Sequence, residues 1–435
     1  MTAPIPNIKS TNSVSRIKKL LNDVPSVVDD ALEGLVMANA GLVMLEGHRI
    51  VMRRDHAQMK GKVKLLSGGG AGHEPAHVGF IGSGMLTAAV MGNVFCSPPT
   101  LSVLQAIREL AADHREGVLV IVPNYTGNRF CFGNAVERAR SEGINVKMLV
   151  VGEDCALPDA QGRRGLAGIV LIQKIAGAMS EEGKKLEEIF AACNTAATSD
   201  MATVGVGIKH SLLVPGMSRC GLILQETELE LGLGVCNEPG VCKIALGSVS
   251  DIVHVMLERI IRPDSKAHFE LSQSHRVVVL INNLGGSSKL EEHIFVKEVL
   301  KQLHSRGSQP DRIYAGSFLS SLESTGFSVT LFKVSDPQIL NYLDAPTSAA
   351  AWPRSVSAGC VDVEKCEVSV PSSCQSEQQL RSSKLQVGPK ISEKSAHNVA
   401  QVSAAYCYPC KTEISLRFSM YQGTVKISLS GQQPM

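Results

Sequence analysis

The stretch SGGGAGHEPAH, residues 67–77, sets two imidazoles and a carboxylate in the pattern H-E-x-x-H, as His73, Glu74 and His77. On a continuous helix that spacing puts both histidines on one face, where they hold zinc with the glutamate beside them as base. Pro75 sits between the histidines, and proline fits the first turn of a helix but breaks its interior. Gly68, Gly69, Gly70 and Gly72 stand where a zinc-binding helix would already be running. The upstream KVKLLS reads as a short buried strand. These residues predict a strand, a glycine turn and a helix starting near Glu74, which leaves His73 outside the helix and loses the ligand pair. Two readings of the loop stay open. Its backbone N–H groups hold a ligand that His73 faces, or it is a tight turn with a structural histidine.

Further loops rich in glycine and asparagine follow apolar runs. They are PNYTGNRFCFGNA (123–135), GRRGLAG (162–168), ELGLGVCNEPG (230–240) and NNLGG (282–286). In open α/β sheets, ligands bind at such strand ends. The elements that must position these loops are legible as alternating patterns. Strands are expected at KVKLLS, GVLVIV, NVKMLVV, RVVVLIN, RIYAGSF and FSVTLFKV. Helices are expected at SVLQAIRELAADH, NAVERARSEG, EEGKKLEEIFAACNTAA, SDIVHVMLERII and KLEEHIFVKEVLKQLHSRG. Strand–helix alternation with short loops argues for an α/β fold. The polar segment RPDSKAHFELSQSH (262–275) reads as a crossing between two α/β units. Beyond Trp352-Pro353 the chain turns serine-rich with no long periodic run, a composition that struggles to build a core. Residues 354–435 therefore read as a low-complexity, largely disordered tail, and Cys407 and Cys410 within it as a chance C-x-x-C.

The formal net charge of +2 and the sparse aromatics give neither the electrostatic footprint nor the stacking surface that nucleic acid needs. Twelve irregularly spaced cysteines and no N-terminal apolar h-region argue for a reducing, cytosolic compartment. Val78 to Ile107 carries no charge, yet its glycines, hydroxyls and Pro98-Pro99 argue against a spanning helix. No G-x-x-x-x-G-K-[ST] loop is present, and no G-x-G-x-x-G follows a strand, so a self-contained nucleotide site is not expected.

Taken in order, the loops resemble the dihydroxyacetone kinase family, and in particular the N-terminal substrate-binding half of triokinase/FMN cyclases. The resemblance runs from about residue 15 to Pro353. It implies two α/β subdomains, here residues 1–200 and 201–353, with dihydroxyacetone between them, a homodimer, and no metal held by this part. It also implies a substrate loop matched by Gly70, Ala71, Gly72 and His73, with Ala71 standing where a serine is usual. A lysine and an aspartate expected around Asn-Tyr-Thr-Gly are Pro123 and Asn128. The histidine that forms a covalent hemiaminal with the ketone carbon is Cys236.

Each departure has a chemical consequence. Imidazole offers a neutral nitrogen nucleophile near pH 7. Cys236 has no nitrogen; it could give a thiohemiacetal, but a thiol of pKa about 8.5 is mostly protonated unless activated. Asn128 cannot ionise to accept a hydroxyl proton. Pro123 removes an ammonium and a backbone N–H together. The family's ATP and Mg2+ are bound by a helical domain with no counterpart here, so they are expected from an absent domain or a separate nucleotide-binding subunit. Two functions are therefore weighed: an active glycerone kinase subunit working with such a partner, and an impaired member that binds a small carbonyl compound or acts through protein contacts.

Overall fold

The computed structural model describes residues 19–112, 115–157, 162–210, 224–236, 238–261, 269, 271 and 275–353, together with short strands at 357–358, 414–421 and 424–431. Residues 1–363 form one compact unit and 364–435 a second.

The first unit holds two sheets. The six-stranded sheet contains β1 (Leu42–Met44), β2 (Ile50–Arg53), β3 (Lys64–Ala71), β4 (Ala88–Val94), β5 (Val118–Pro123) and β6 (Val146–Val151), in the order β1-β2-β4-β3-β5-β6. Strands β4, β3, β5 and β6 are mutually parallel, while β1 and β2 form an antiparallel edge. Alternate residues serve opposite faces, as a period of two requires. Leu66, Val118, Val120 and Val122 pack on α2 (Thr100–Ala111) and α3 (Thr126–Ser141). Leu65, Leu119 and Ile121 face α4 (Ile169–Glu181) and α5 (Leu186–Ser199). Burial on both faces is why these strands read as unbroken apolar runs.

The seven-stranded sheet is mixed. It contains β7 (Met201–Lys209), β8 (Glu228–Leu231), β9 (Cys242–Ala245), β10 (Val277–Asn283), β11 (Pro310–Gly316), β12 (Thr325–Lys333) and β13 (Ser357–Ala358), in the order β13-β11-β10-β12-β7-β8-β9. Among the described neighbouring strands of this sheet, β10 and β11 alone pair in parallel. One face packs on α6 (Val249–Ile260) and α7 (Lys289–Ser305) through Val204, Leu229, Val279 and Leu331. From the other face, Val278, Leu280 and Phe332 join the same apolar cluster as the first sheet. That shared core fixes one sheet against the other. Trp352, just after α8 (Gln338–Asp344), closes it against Tyr314 and Phe318.

Two expectations need correction. Strand β3 runs straight through the glycines to Ala71, and no α-helix begins near Glu74. The glycines permit close backbone approach within the strand rather than a turn after it. A Cβ on Gly68 would lie 2.1 Å from the Val90 carbonyl oxygen, and one on Gly70 would lie 2.8 Å from the Cys96 nitrogen. The segment expected to cross between α/β units is flanked by α6 and β10, which belong to the same layer, so it joins parts of one subdomain. Apart from 269, 271 and 275, its residues lie outside those described.

Of the chain after Pro353, β13 adds to the second sheet. In the second unit, β14 (Ile414–Tyr421) and β15 (Thr424–Gly431) pair antiparallel. The rest of that segment, including Cys407 and Cys410, lies outside the described residues. Among the described residues no helix is long and apolar enough to cross a membrane.

Candidate active site

From β3 the chain passes to β4 on one side, then returns to β5 on the other. The carboxyl ends of β3 and β5 therefore flank a topological switch point, the place where open α/β sheets leave a crevice. The loop carrying His73 and His77 leaves β3. Pro123 ends β5, Tyr125 caps α3, and Asn128 lies in its first turn.

The second sheet supplies the opposite wall. After β8 the chain turns through Gly232 and Gly234 to Cys236, and its sulfur lies 3.3 Å from His73 Nε2. A third loop, between β11 and β12, clasps both. Ser320 N–H donates to the His73 carbonyl, and Leu322 N–H to that of Gly72. The Ser321 hydroxyl donates to the Val235 carbonyl. This loop is itself held by Asn282 at the end of β10, whose amide oxygen accepts from Phe318 and Leu319 N–H.

The Ser320 carbonyl lies 3.0 Å from His73 Nδ1. A carbonyl only accepts, so Nδ1 carries the proton in the neutral ring, and Nε2 presents a lone pair to Cys236. The ring stacks on Phe95, centroids 5.0 Å apart. Burial lowers the His73 pKa to about 4. Burial, and then His73 itself, lowers that of His77 to about 3. His77 Nδ1 is 2.9 Å from the Gln173 amide, so the two imidazoles of H-E-x-x-H serve different partners.

Both rings are thus neutral in the folded chain but protonate near pH 6.5 when unfolded. The unfolded state binds more protons below that value, so each ring's contribution is complete above pH 6.5 and is lost as pH falls towards 4 for His73 and towards 3 for His77. Ring 15N resonances of His73 and His77 are expected to show no titration above pH 5. Titration of either near 6.5 would contradict the burial described.

Burial pushes the Cys236 thiol well above its ordinary pKa, and the Glu238 carboxylate pushes it further. Glu238 also accepts the Cys236 N–H at 2.9 Å. Cys236 is therefore a neutral thiol at pH 7. Arg164 anchors the loop from below. It pairs with Asp154 at 2.7 Å and donates to the carbonyls of Gly232 and Pro239 on either side of Cys236. Arg163 instead donates to the Glu153 and Met201 carbonyls.

Asn128 is 94% buried, and among the described residues neither its Oδ1 nor the buried Tyr125 hydroxyl has a hydrogen-bond partner. A Cβ on Gly69 would lie 3.5 Å from Asn128 Nδ2 and 3.8 Å from His77 Nε2, which places Asn128 against the glycine segment of β3. Ala71 is buried at the end of β3. The sequence-predicted residues are therefore gathered from both sheets. Sequence reasoning missed the Ser320–Leu322 clasp, Phe95 and Tyr125; of these only Tyr125, inside the Asn-Tyr-Thr-Gly loop, lay in a motif already singled out. An open cavity of about 490 Å3 lies elsewhere, lined in part by Arg53, Arg54 and Ser83. Its arginines are engaged by Asp55, Glu181 and backbone carbonyls, so among the described residues that line it neither arginine is left free for an anionic ligand.

The Dak1 domain model matches residues 33–351. The chain belongs to the Dak1 domain family. It is 47% identical to the triokinase/FMN cyclase of Homo sapiens over 339 residues, 78% of this chain and 58% of that protein. It is 38% identical to the dihydroxyacetone-binding subunit DhaK of a PTS-dependent dihydroxyacetone kinase of Listeria innocua, covering 77% of this chain and all of that subunit. Among solved structures it matches the dihydroxyacetone kinase from C. freundii in complex with AMP-PNP and Mg2+, with a TM-score of 0.73 and 35% identity, over 89% of this chain and 68% of that one. It also matches the dihydroxyacetone kinase operon co-activator DhaQ, with a TM-score of 0.69 and 30% identity, over 76% of this chain and 99% of that one. The Dak1 chain thus spans about 58% of the length of the triokinase/FMN cyclase it resembles, with its two-sheet α/β fold in common with the dihydroxyacetone kinases.

Proposed function

We propose that this Dak1 domain binds dihydroxyacetone or a related small carbonyl compound in the crevice between His73, Asn128 and Cys236, and is impaired in phosphoryl transfer on its own. The observation that carries this reading is the Cys236 sulfur 3.3 Å from His73 Nε2. In this reading a thiol stands where the resemblance puts a nitrogen nucleophile for the substrate carbonyl. Asn128, which cannot take a proton as a carboxylate would, supports the same conclusion. ATP and Mg2+ come from a separate nucleotide-binding unit in this reading, and the protein works as a cytosolic homodimer. The match to an operon co-activator favours a second role, regulation through protein contacts, for a member that keeps the crevice without its chemistry.

Titration calorimetry with dihydroxyacetone, followed by an assay with ATP, Mg2+ and a nucleotide-binding subunit of the family, tests the reading. Saturable binding is expected, with turnover no higher than a protein-free blank. Turnover that Cys236→Ser abolishes would show that the domain is not impaired, and absence of binding would remove the ligand assignment.

A further inference from the structure

The arrangement around His73 has the form of a nucleophile, a base and an orienter. The Ser320 carbonyl holds the Nδ1 proton, Nε2 is left as acceptor, and the Cys236 sulfur is 3.3 Å away. That is the geometry in which an imidazole takes the proton of an attacking thiol. Two buried polar atoms, the Asn128 amide oxygen and the Tyr125 hydroxyl, have no hydrogen-bond partner among the described residues, and Asn128 lies against β3, the strand that leads to His73. Tyr125 is the N-cap of α3, three residues before Asn128, and both Tyr125 and Cys236 pack against the shared apolar core. Orphaned polar atoms in a buried site call for a ligand that supplies hydroxyls or a carbonyl oxygen.

Resting on the carbonyl-binding reading above, we propose that Cys236 and His73 form a reversible covalent trap that selects small hydroxyaldehydes over the corresponding ketones. The step balances without an oxidant or a cofactor. The Cys236 sulfur bonds to the carbonyl carbon, the C=O π pair moves onto oxygen, and the thiol proton passes by way of His73 Nε2 to that oxygen. The product is a thiohemiacetal, and His73 returns to its starting tautomer. Thiol and imidazole are both neutral beforehand, so the proton leaves sulfur only as the carbon–sulfur bond forms. The selectivity follows from the carbon. A thiol adds to an unhindered, more electrophilic aldehyde far more favourably than to a ketone flanked by two carbons. Tyr125 donates to the new hydroxyl, and the Asn128 oxygen accepts from a substrate hydroxyl.

The test uses the full chain with glyceraldehyde or dihydroxyacetone, each carrying 13C at the carbonyl, in carbon NMR. Competition titrations give the affinities. A new sp3 resonance distinct from the aldehyde hydrate is expected with glyceraldehyde and wild-type protein. It should be absent in Cys236→Ser, which also sets aside the exposed Cys96 and Cys242 thiols. Wild type should prefer the aldehyde at least tenfold, Cys236→Ser should lose that preference, and Tyr125→Phe should weaken the adduct without removing it. Thermal melts of each variant report folding, and the wild-type spectrum alone decides whether an adduct forms. Binding of both compounds with no adduct, an adduct that persists in Cys236→Ser, or equal occupancy by the ketone would each overturn the trap. The first of these leaves the carbonyl-binding reading intact, whereas absence of all binding removes both.

Discussion

Replacing Asn128 by Asp and Cys236 by His together is expected to bring dihydroxyacetone phosphorylation above the protein-free blank, by up to about 10²–10⁴-fold, the range a positioned general base supplies. The assay contains ATP, Mg2+ and a family nucleotide-binding subunit. Asn and Asp are nearly the same shape, so the first change asks little of the packing. It converts a buried amide whose oxygen has no partner among the described residues into a group able to take the proton of the attacking hydroxyl. The second change returns a nitrogen to the position facing His73 and so restores the means of holding a ketone. Either substitution alone supplies one function and should give a smaller gain. Ala71 and Pro123 remain as they are, so the restored rate is not expected to match that of an intact kinase. A double variant that binds dihydroxyacetone but gains no activity would remove Asn128 from the catalytic position. One that no longer binds would show that the crevice does not tolerate the imidazole.

Arg164→Ala is expected to destabilise the domain by about 3–5 kcal/mol, because it strands the Asp154 carboxylate in the interior. Asp154 is 1% exposed, and its pairing with Arg164 is buried on both sides. The same guanidinium holds the Gly232 and Pro239 carbonyls, so its loss also frees the loop that presents Cys236. Urea unfolding gives the stability. A double-mutant cycle with Asp154→Ala separates the pair's coupling from other losses, including the Asp154 bond to the Ala156 N–H. A loss under 1 kcal/mol, or additive effects in the cycle, would make Arg164 a bystander rather than the anchor of the loop. The glyceraldehyde adduct measured on the same variant tells whether the loosened loop still delivers its thiol.

The strongest periodic segments were the easiest to read. GVLVIV and RVVVLIN lie in the central strands β5 and β10, where burial on both faces demands unbroken apolar runs, and NVKMLVV forms the half-buried edge strand β6. Helix α4 was not expected, because every residue from Ile169 to Ser180 is buried. A helix covered all round shows no apolar stripe. Strand β7 was missed for a different reason. Gly205 and Gly207 dilute its pattern, since glycine weakens strand preference while allowing close approach. A Cβ on Gly207 would lie 2.3 Å from the Leu233 side chain, a neighbour that only the folded chain reveals.

The sequence by itself determined the α/β class and the family, because the loops that carry them follow one another in a recognisable order, and it marked Ala71, Pro123, Asn128 and Cys236 as the positions where those motifs are expected to depart. Tertiary structure decided how those side chains meet. His73 and Cys236 are 163 positions apart along the chain, and the loop orienting the imidazole comes from 247 positions away. Its serines, Ser320 and Ser321, act through backbone groups and a hydroxyl that resemble those of any surface turn. The direction of the His73 proton follows from which carbonyl lies beside Nδ1, and that is set by the packing of the two sheets on one core.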